Sequence, residues 1–167
     1  VIPNSHEEAE PTDKEMCDWL SGAATISYSI LWHRAPPKRE LFTRIEARID
    51  VLLSDSTPKL YSITLKKVHS GCGGTTLLKQ LAVECERKHQ TRVKVCFVDD
   101  GNTRSQTNDV DAFISCTNPC IVFVDENASY VSTLIPLLHK SKLTSTIICV
   151  HVEPPKDSRH DFESEEL

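Results

Sequence analysis

No apolar run in this sequence approaches the roughly 18 residues that a membrane-spanning helix needs. The opening stretch, residues 1–14, is polar and acidic, so it lacks the apolar centre of a signal peptide. Cations are in short supply: 19 Lys and Arg stand against 24 Asp and Glu, a net charge of −5. Gripping a nucleic-acid backbone takes clustered Lys and Arg, so nucleic acid is not an expected partner. A single nucleotide held by backbone donors and a metal remains compatible with that charge. The seven cysteines (Cys17, Cys72, Cys85, Cys96, Cys116, Cys120 and Cys149) form no C-x-x-C pair. Only Cys116 and Cys120 are close in sequence, and they lack the nearby His or second Cys pair of a zinc site. Buried free thiols in a reducing cytosol are expected in place of a disulfide framework. Glycine is scarce too, at five residues, and three of the five are Gly71, Gly73 and Gly74.

What the chain does contain is alternating structure on the scale of one domain. Residues 1–14 read as a disordered lead-in. Residues 15–58 carry an aromatic segment, with Trp19, Tyr28 and Trp32, and then a helix beyond Pro36-Pro37. In that helix Leu41, Ile45, Ile49 and Leu52 recur at helical spacing, with Phe42 and Leu53 beside them. Residues 59–152 form the core. Tyr61, Ile63 and Leu65 alternate with Ser62 and Thr64 in a first strand. A helix over 75–89 presents Leu77, Leu78, Leu81, Ala82 and Cys85. Strands follow at 92–98, 120–124 and 145–152, with helices around 110–116 and over Tyr130, Leu134, Leu137 and Leu138. Pro136 should kink or restart the last of these. Apolar strands alternating with helices predict an α/β fold: a parallel sheet buried on both faces, truncated after about four strands. An acidic, disordered tail is expected from 153 to 167. The absent initiator Met and the acidic end suggest a piece of a longer protein.

The run Ser70-Gly71-Cys72-Gly73-Gly74-Thr75-Thr76 lies between the first strand and the 75–89 helix. Strand, glycine-rich turn and helix in that order is the setting of a phosphate-binding loop. The first turn of a helix leaves N–H groups without partners, and its dipole favours an anion. Glycines let the loop fold back so that more N–H groups converge on one phosphate. Against G-x-x-x-x-G-K-[ST], Gly73 is the second glycine and Thr75 the hydroxyl that ligates Mg²⁺. Gly74 stands where the lysine belongs, so the cradle is kept and its cation is missing. Lys66, Lys67 and Lys79 flank the loop and are candidates to supply that charge from another backbone position. The bland alternative is a tight turn that only packs the helix on the strand.

A metal site needs acid opposite the cradle. The strand Ile121-Val122-Phe123-Val124 ends in Asp125-Glu126, the Walker B pattern, about 50 residues after the glycines. Asp125 would hold the Mg²⁺ shell, and Glu126 would orient or deprotonate an attacking water. It comes two strands after the first, as in P-loop ATPases with an added strand between the motifs. Asp99-Asp100-Gly101 reads as a turn at the same edge, and His69 as a loop residue.

With these residues in view, the run Gly71-Cys72-Gly73-Gly74-Thr75-Thr76-Leu77 resembles the lysine-less P-loop of the sterile alpha motif domain-containing protein 9 family. Those are large cytoplasmic proteins with a P-loop NTPase module of the STAND type. The segment Trp19 to Trp32, the helix opening Lys38-Arg39-Glu40-Leu41 and the strand with its acidic end add to the likeness, over about residues 15–152. The resemblance implies a cytoplasmic, regulatory module of innate antiviral defence. It implies that Ser70 to Thr76 bind ATP or GTP, that Thr75 and Asp125 hold Mg²⁺, and that Glu126 supports slow hydrolysis or none. Self-association or protein partners would act through the full-length chain. The alternative expectation is a pseudo-NTPase scaffold that associates without nucleotide.

Overall fold

The computed structural model describes residues 9–21, 23–24, 26–33, 37–66, 73–98, 112–113, 115–125 and 128–153. Among these, four strands form one parallel sheet: β1 (Leu60–Lys66), β2 (Lys94–Val98), β3 (Cys120–Val124) and β4 (Ile147–Glu153). Their spatial order is β1-β4-β3-β2. The two central strands are buried on both sides, which is why β3 and most of β4 read as continuous apolar runs. The edge strand β1 alternates, with Tyr61, Ile63 and Leu65 packed inward and Ser62 and Thr64 exposed.

Helices cover both faces, because side chains alternate along each strand. Ile121, Phe123, Ile148, Val150 and Val152 point to one face. There they meet α3 (Glu40–Leu53) through Phe42, Ile45, Ile49 and Leu52, and α4 (Gly74–His89) through Leu78, Leu81, Ala82 and Cys85. Cys120, Val122, Val124, Ile147 and Cys149 point to the other face, against Tyr130, Val131, Leu134 and Leu138 of α5 (Ala128–Lys140). The expected three-layer α/β architecture is therefore the one observed. Full burial of a side chain such as Phe123 stabilises by about 1.5–3 kcal/mol.

Several details differ from expectation. Leu41 is 47% exposed and Leu137 39% exposed. Phe42, already expected beside the α3 stripe, and Val131 are buried, while Ile45, Ile49, Leu52, Tyr130, Leu134 and Leu138 keep the inward positions expected of them. Pro136 lies within α5, which continues through it to Lys140 without a restart. Helix α1 (Asp13–Leu20) begins inside the stretch expected to be a lead-in. A capping box holds it: the Thr12 N–H donates to the Glu15 carboxylate at 2.8 Å, and the Glu15 N–H donates to Thr12 Oγ1 at 3.3 Å.

Helix α2 (Tyr28–His33) packs on the outer side of α4, where Ile26, Ile30 and Leu31 enclose Val83. Two cations fasten it. The Arg87 guanidinium lies 4.4 Å from the Trp32 ring centroid and donates to the Trp32 carbonyl. Lys79 Nζ donates to the Ile26 carbonyl at 3.3 Å. The aromatic segment thus packs on α4 and reaches the sheet where Tyr28 meets Phe97 edge-on with centroids 6.2 Å apart. At the start of β1, Asp55 accepts bonds from the Thr57 N–H, Lys59 Nζ and the Tyr61 hydroxyl, which hold its carboxyl well below the usual range.

Candidate functional site

In a parallel sheet every strand ends on the same rim. Thr64, His151 and Val124 are in register across β1, β4 and β3, so Lys66 and Asp125 leave the sheet on one side. The chain following β1 enters α4 on one face, and the chain following β3 enters α5 on the other. Connections that leave in opposite directions open a crevice beyond the strand ends, the usual ligand position in such sheets. Here it lies over β4, which separates β1 from β3. Two inter-strand steps put those strands about 10 Å apart.

One wall of the crevice is the start of α4. Gly73 is its N-cap, at φ 84° and ψ 24°, a left-handed conformation that favours glycine. Its carbonyl accepts the Leu77 N–H at 3.0 Å, the first bond of the helix. As a glycine it brings no side-chain acceptor to the N–H groups of Gly74, Thr75 and Thr76. No acidic residue stands in the first turn, whereas Arg87, Lys88 and His89 occupy the last. The positive end of the dipole thus has no side-chain cap or acidic residue from its own helix, a setting that favours an anion. Thr75 and Thr76 are half-buried second and third residues of the helix.

Asp125 lies at the same rim, at the end of β3. Its N–H donates to the Val98 carbonyl at 3.0 Å, which extends the β2–β3 pairing and fixes the residue at the rim. Its Oδ1 is buried with no hydrogen-bond partner. A buried acceptor without a partner is costly. A carboxylate oxygen in that state suits a cation, and Mg²⁺ is typically held by one or two carboxylates together with phosphate oxygens. The chemistry of Asp125 and Thr75 therefore fits the metal. No cluster of three or more His, Cys, Asp or Glu occurs among the described residues. A site completed by substrate phosphates does not require one.

Of the sequence-predicted site, Gly73, Gly74, Thr75, Thr76 and Asp125 are brought to one rim. Ser70, Gly71, Cys72 and Glu126 lie outside the described residues, as do Lys67, His69, Asp99 and Asp100. Lys79, one of three lysines considered for the missing charge, is turned away to Ile26 and Tyr28. Sequence reasoning missed Arg39. A β-carbon built on Gly73 would lie 3.5 Å from Arg39 Nη1, 3.6 Å from Nη2 and 3.9 Å from Cζ. A cavity of about 90 Å³ adjoins this contact, lined by Arg39, Lys66, Gly73 and Gly74 together with the apolar Leu41, Leu65, Leu77 and Val152. The available signal was a basic residue at the start of α3, but nothing in the local pattern showed how far it reached.

A larger cavity, about 360 Å³, lies on the opposite rim between Pro58, Lys59, Leu60 and the end of α5 at His139. It faces the negative end of a helix dipole, and no backbone N–H cradle is there. The smaller cavity adjoins the first turn of α4 and two cationic side chains, Arg39 and Lys66, features that suit an anion. Burial raises the Cys85 and Cys149 thiols to about 12, so neither supplies a thiolate nucleophile.

The four-stranded parallel sheet flanked by helices is an α/β fold consistent with a truncated P-loop NTPase-like domain, with β4 lying between β1 and β3. No family model matches the chain, and no curated protein matches it.

Proposed function

We propose that this chain is a nucleotide-binding regulatory module that takes ATP or GTP with Mg²⁺. The observation that carries the proposal is one rim holding both the uncapped first turn of α4 and the unpartnered, buried Oδ1 of Asp125. The amides of Gly74, Thr75 and Thr76 would bind phosphate oxygens. Thr75 and Asp125 would hold Mg²⁺, which when bound neutralises charge on the β- and γ-phosphates. With Gly74 in place of lysine, transition-state charge is poorly neutralised, so turnover is slow or absent and occupancy serves as a conformational signal. The resemblance to the sterile alpha motif domain-containing protein 9 family extends the proposal to a switch in a larger cytoplasmic antiviral protein. The free thiols among the described residues suit a reducing compartment. No helix among those residues is long and apolar enough to cross a membrane.

A thermal melt with Mg-ATP or Mg-GTP tests the proposal. A ligand at one hundred times its Kd stabilises by about 2.7 kcal/mol, and the midpoint should rise by roughly 5–10 °C. The lysine-to-glycine exchange at Gly74 favours a second reading, a scaffold that associates without nucleotide. An unmoved midpoint with both nucleotides, together with concentration-dependent self-association, would establish it.

A further inference from the structure

We infer that Arg39 supplies the phosphate-binding cation that Gly74 cannot, a proposal that rests on the nucleotide reading above. The glycine cradle ordinarily works with a lysine one position after its second glycine, reaching the β- and γ-phosphates. Here that position is Gly74, the first residue of α4. The atoms nearest to a β-carbon built on Gly73 are Nη1, Nη2 and Cζ of Arg39, all from the guanidinium. A cation contributed by α3 thus lies across the mouth of the turn, beside the same small cavity.

Three features of the fold make the placement usable. Arg39 is the N-cap residue of α3, and its side chain makes no capping bond. The inward stripe of Phe42, Ile45 and Ile49 anchors α3 on the sheet and fixes the direction from which Arg39 reaches. A β-carbon at Gly73 would meet the guanidinium at an ordinary van der Waals distance of 3.5 Å, so the guanidinium packs directly beside the turn. A planar guanidinium presents a fork of N–H donors to phosphate oxygens, which an ammonium cannot match in geometry. The buried Oδ1 of Asp125 lies at the same rim, at the end of β3, where it would face the metal. The ligand class is therefore a nucleoside di- or triphosphate, gripped between a cation from α3 and an acid from β3.

The test is equilibrium binding of fluorescent Mg-ATP and Mg-GTP to the whole chain, with unlabelled AMP and adenosine as competitors. Arg39→Ala should weaken both triphosphates by about ten- to a hundredfold, the worth of a charge-assisted contact. It should leave adenosine unchanged. Arg39 is exposed, so circular dichroism and the melting midpoint should match wild type. Gly74 has ordinary helical backbone, so Gly74→Lys in the Arg39→Ala background should recover triphosphate affinity to within about threefold. Equal triphosphate affinity in wild type and Arg39→Ala would overturn the role of Arg39 while leaving nucleotide binding intact. An equal loss for adenosine would also overturn it, by moving the contact to the base or ribose. Wild type that binds no nucleotide would remove both proposals together.

Discussion

Replacing Asp125 with alanine should change stability and ligand response in opposite directions. Oδ1 of Asp125 is buried with no partner, and such a group costs about 1–3 kcal/mol relative to one that is satisfied. Alanine removes that oxygen and the charge, but it also gives up packing and leaves some space. The net effect without nucleotide should be a gain of about 1 kcal/mol, which for a domain of this size raises the midpoint by roughly 2–4 °C. With Mg-ATP at saturating concentration, wild type should gain several degrees more, whereas Asp125→Ala should gain little. Scanning fluorimetry on both proteins, with Mg²⁺ alone, nucleotide alone and the pair, separates the two effects. Natural proteins retain such costly groups where function uses them. A variant destabilised in the absence of nucleotide would show that the carboxylate is structural. A variant that keeps the full Mg-dependent shift would show that Asp125 holds no metal. Either result refutes the argument from the unpartnered oxygen.

Two further outcomes are expected. Gly73→Ala should destabilise by about 1 kcal/mol, because a β-carbon is disfavoured at φ 84°. Its nearest contact would be an ordinary 3.5 Å, so Gly73→Asn, which tolerates that backbone better, should lose less in denaturant melts if strain is the cause. His151 should make stability depend on mildly acidic pH. Burial lowers its pKa from 6.5, with Glu153 opposing, and its Nε2 lies 3.0 Å from Thr64 Oγ1 and 3.3 Å from Ser62 Oγ. The unfolded chain therefore takes up the proton first. Stability present in full above about pH 6.5 is lost as the pH falls toward the folded value. Melts at pH 7.5 and pH 5.5 should show a smaller acid loss in His151→Gln than in wild type.

Much of the fold could be read locally because side-chain periodicity records the environment of each element. The central strands are covered on both faces, and Cys120–Val124 is apolar without a break. The edge strand β1 is covered on one, and its polar residues alternate. Gly73 announced a turn because few other residues adopt its backbone angles. The exposed positions of Leu41 and Leu137 were less legible, since two adjacent leucines or a Phe-Leu pair fit a helical stripe equally well until a neighbouring element selects one. The packing of α2 on α4 was also hidden, because Val83 looks like any apolar helix residue until Ile30 and Leu31 are seen against it.

The sequence by itself determined the parallel α/β class, the glycine turn before α4 and the acid at the end of β3, because each depends on residues that are neighbours along the chain. Tertiary structure alone decided that β4 lies between β1 and β3, that Asp125 retains a buried oxygen without a partner, and that Arg39 crosses to Gly73. These depend on groups far apart in sequence. Chain connectivity leaves such contacts open, and only the packing of helices onto both faces of the sheet fixes them.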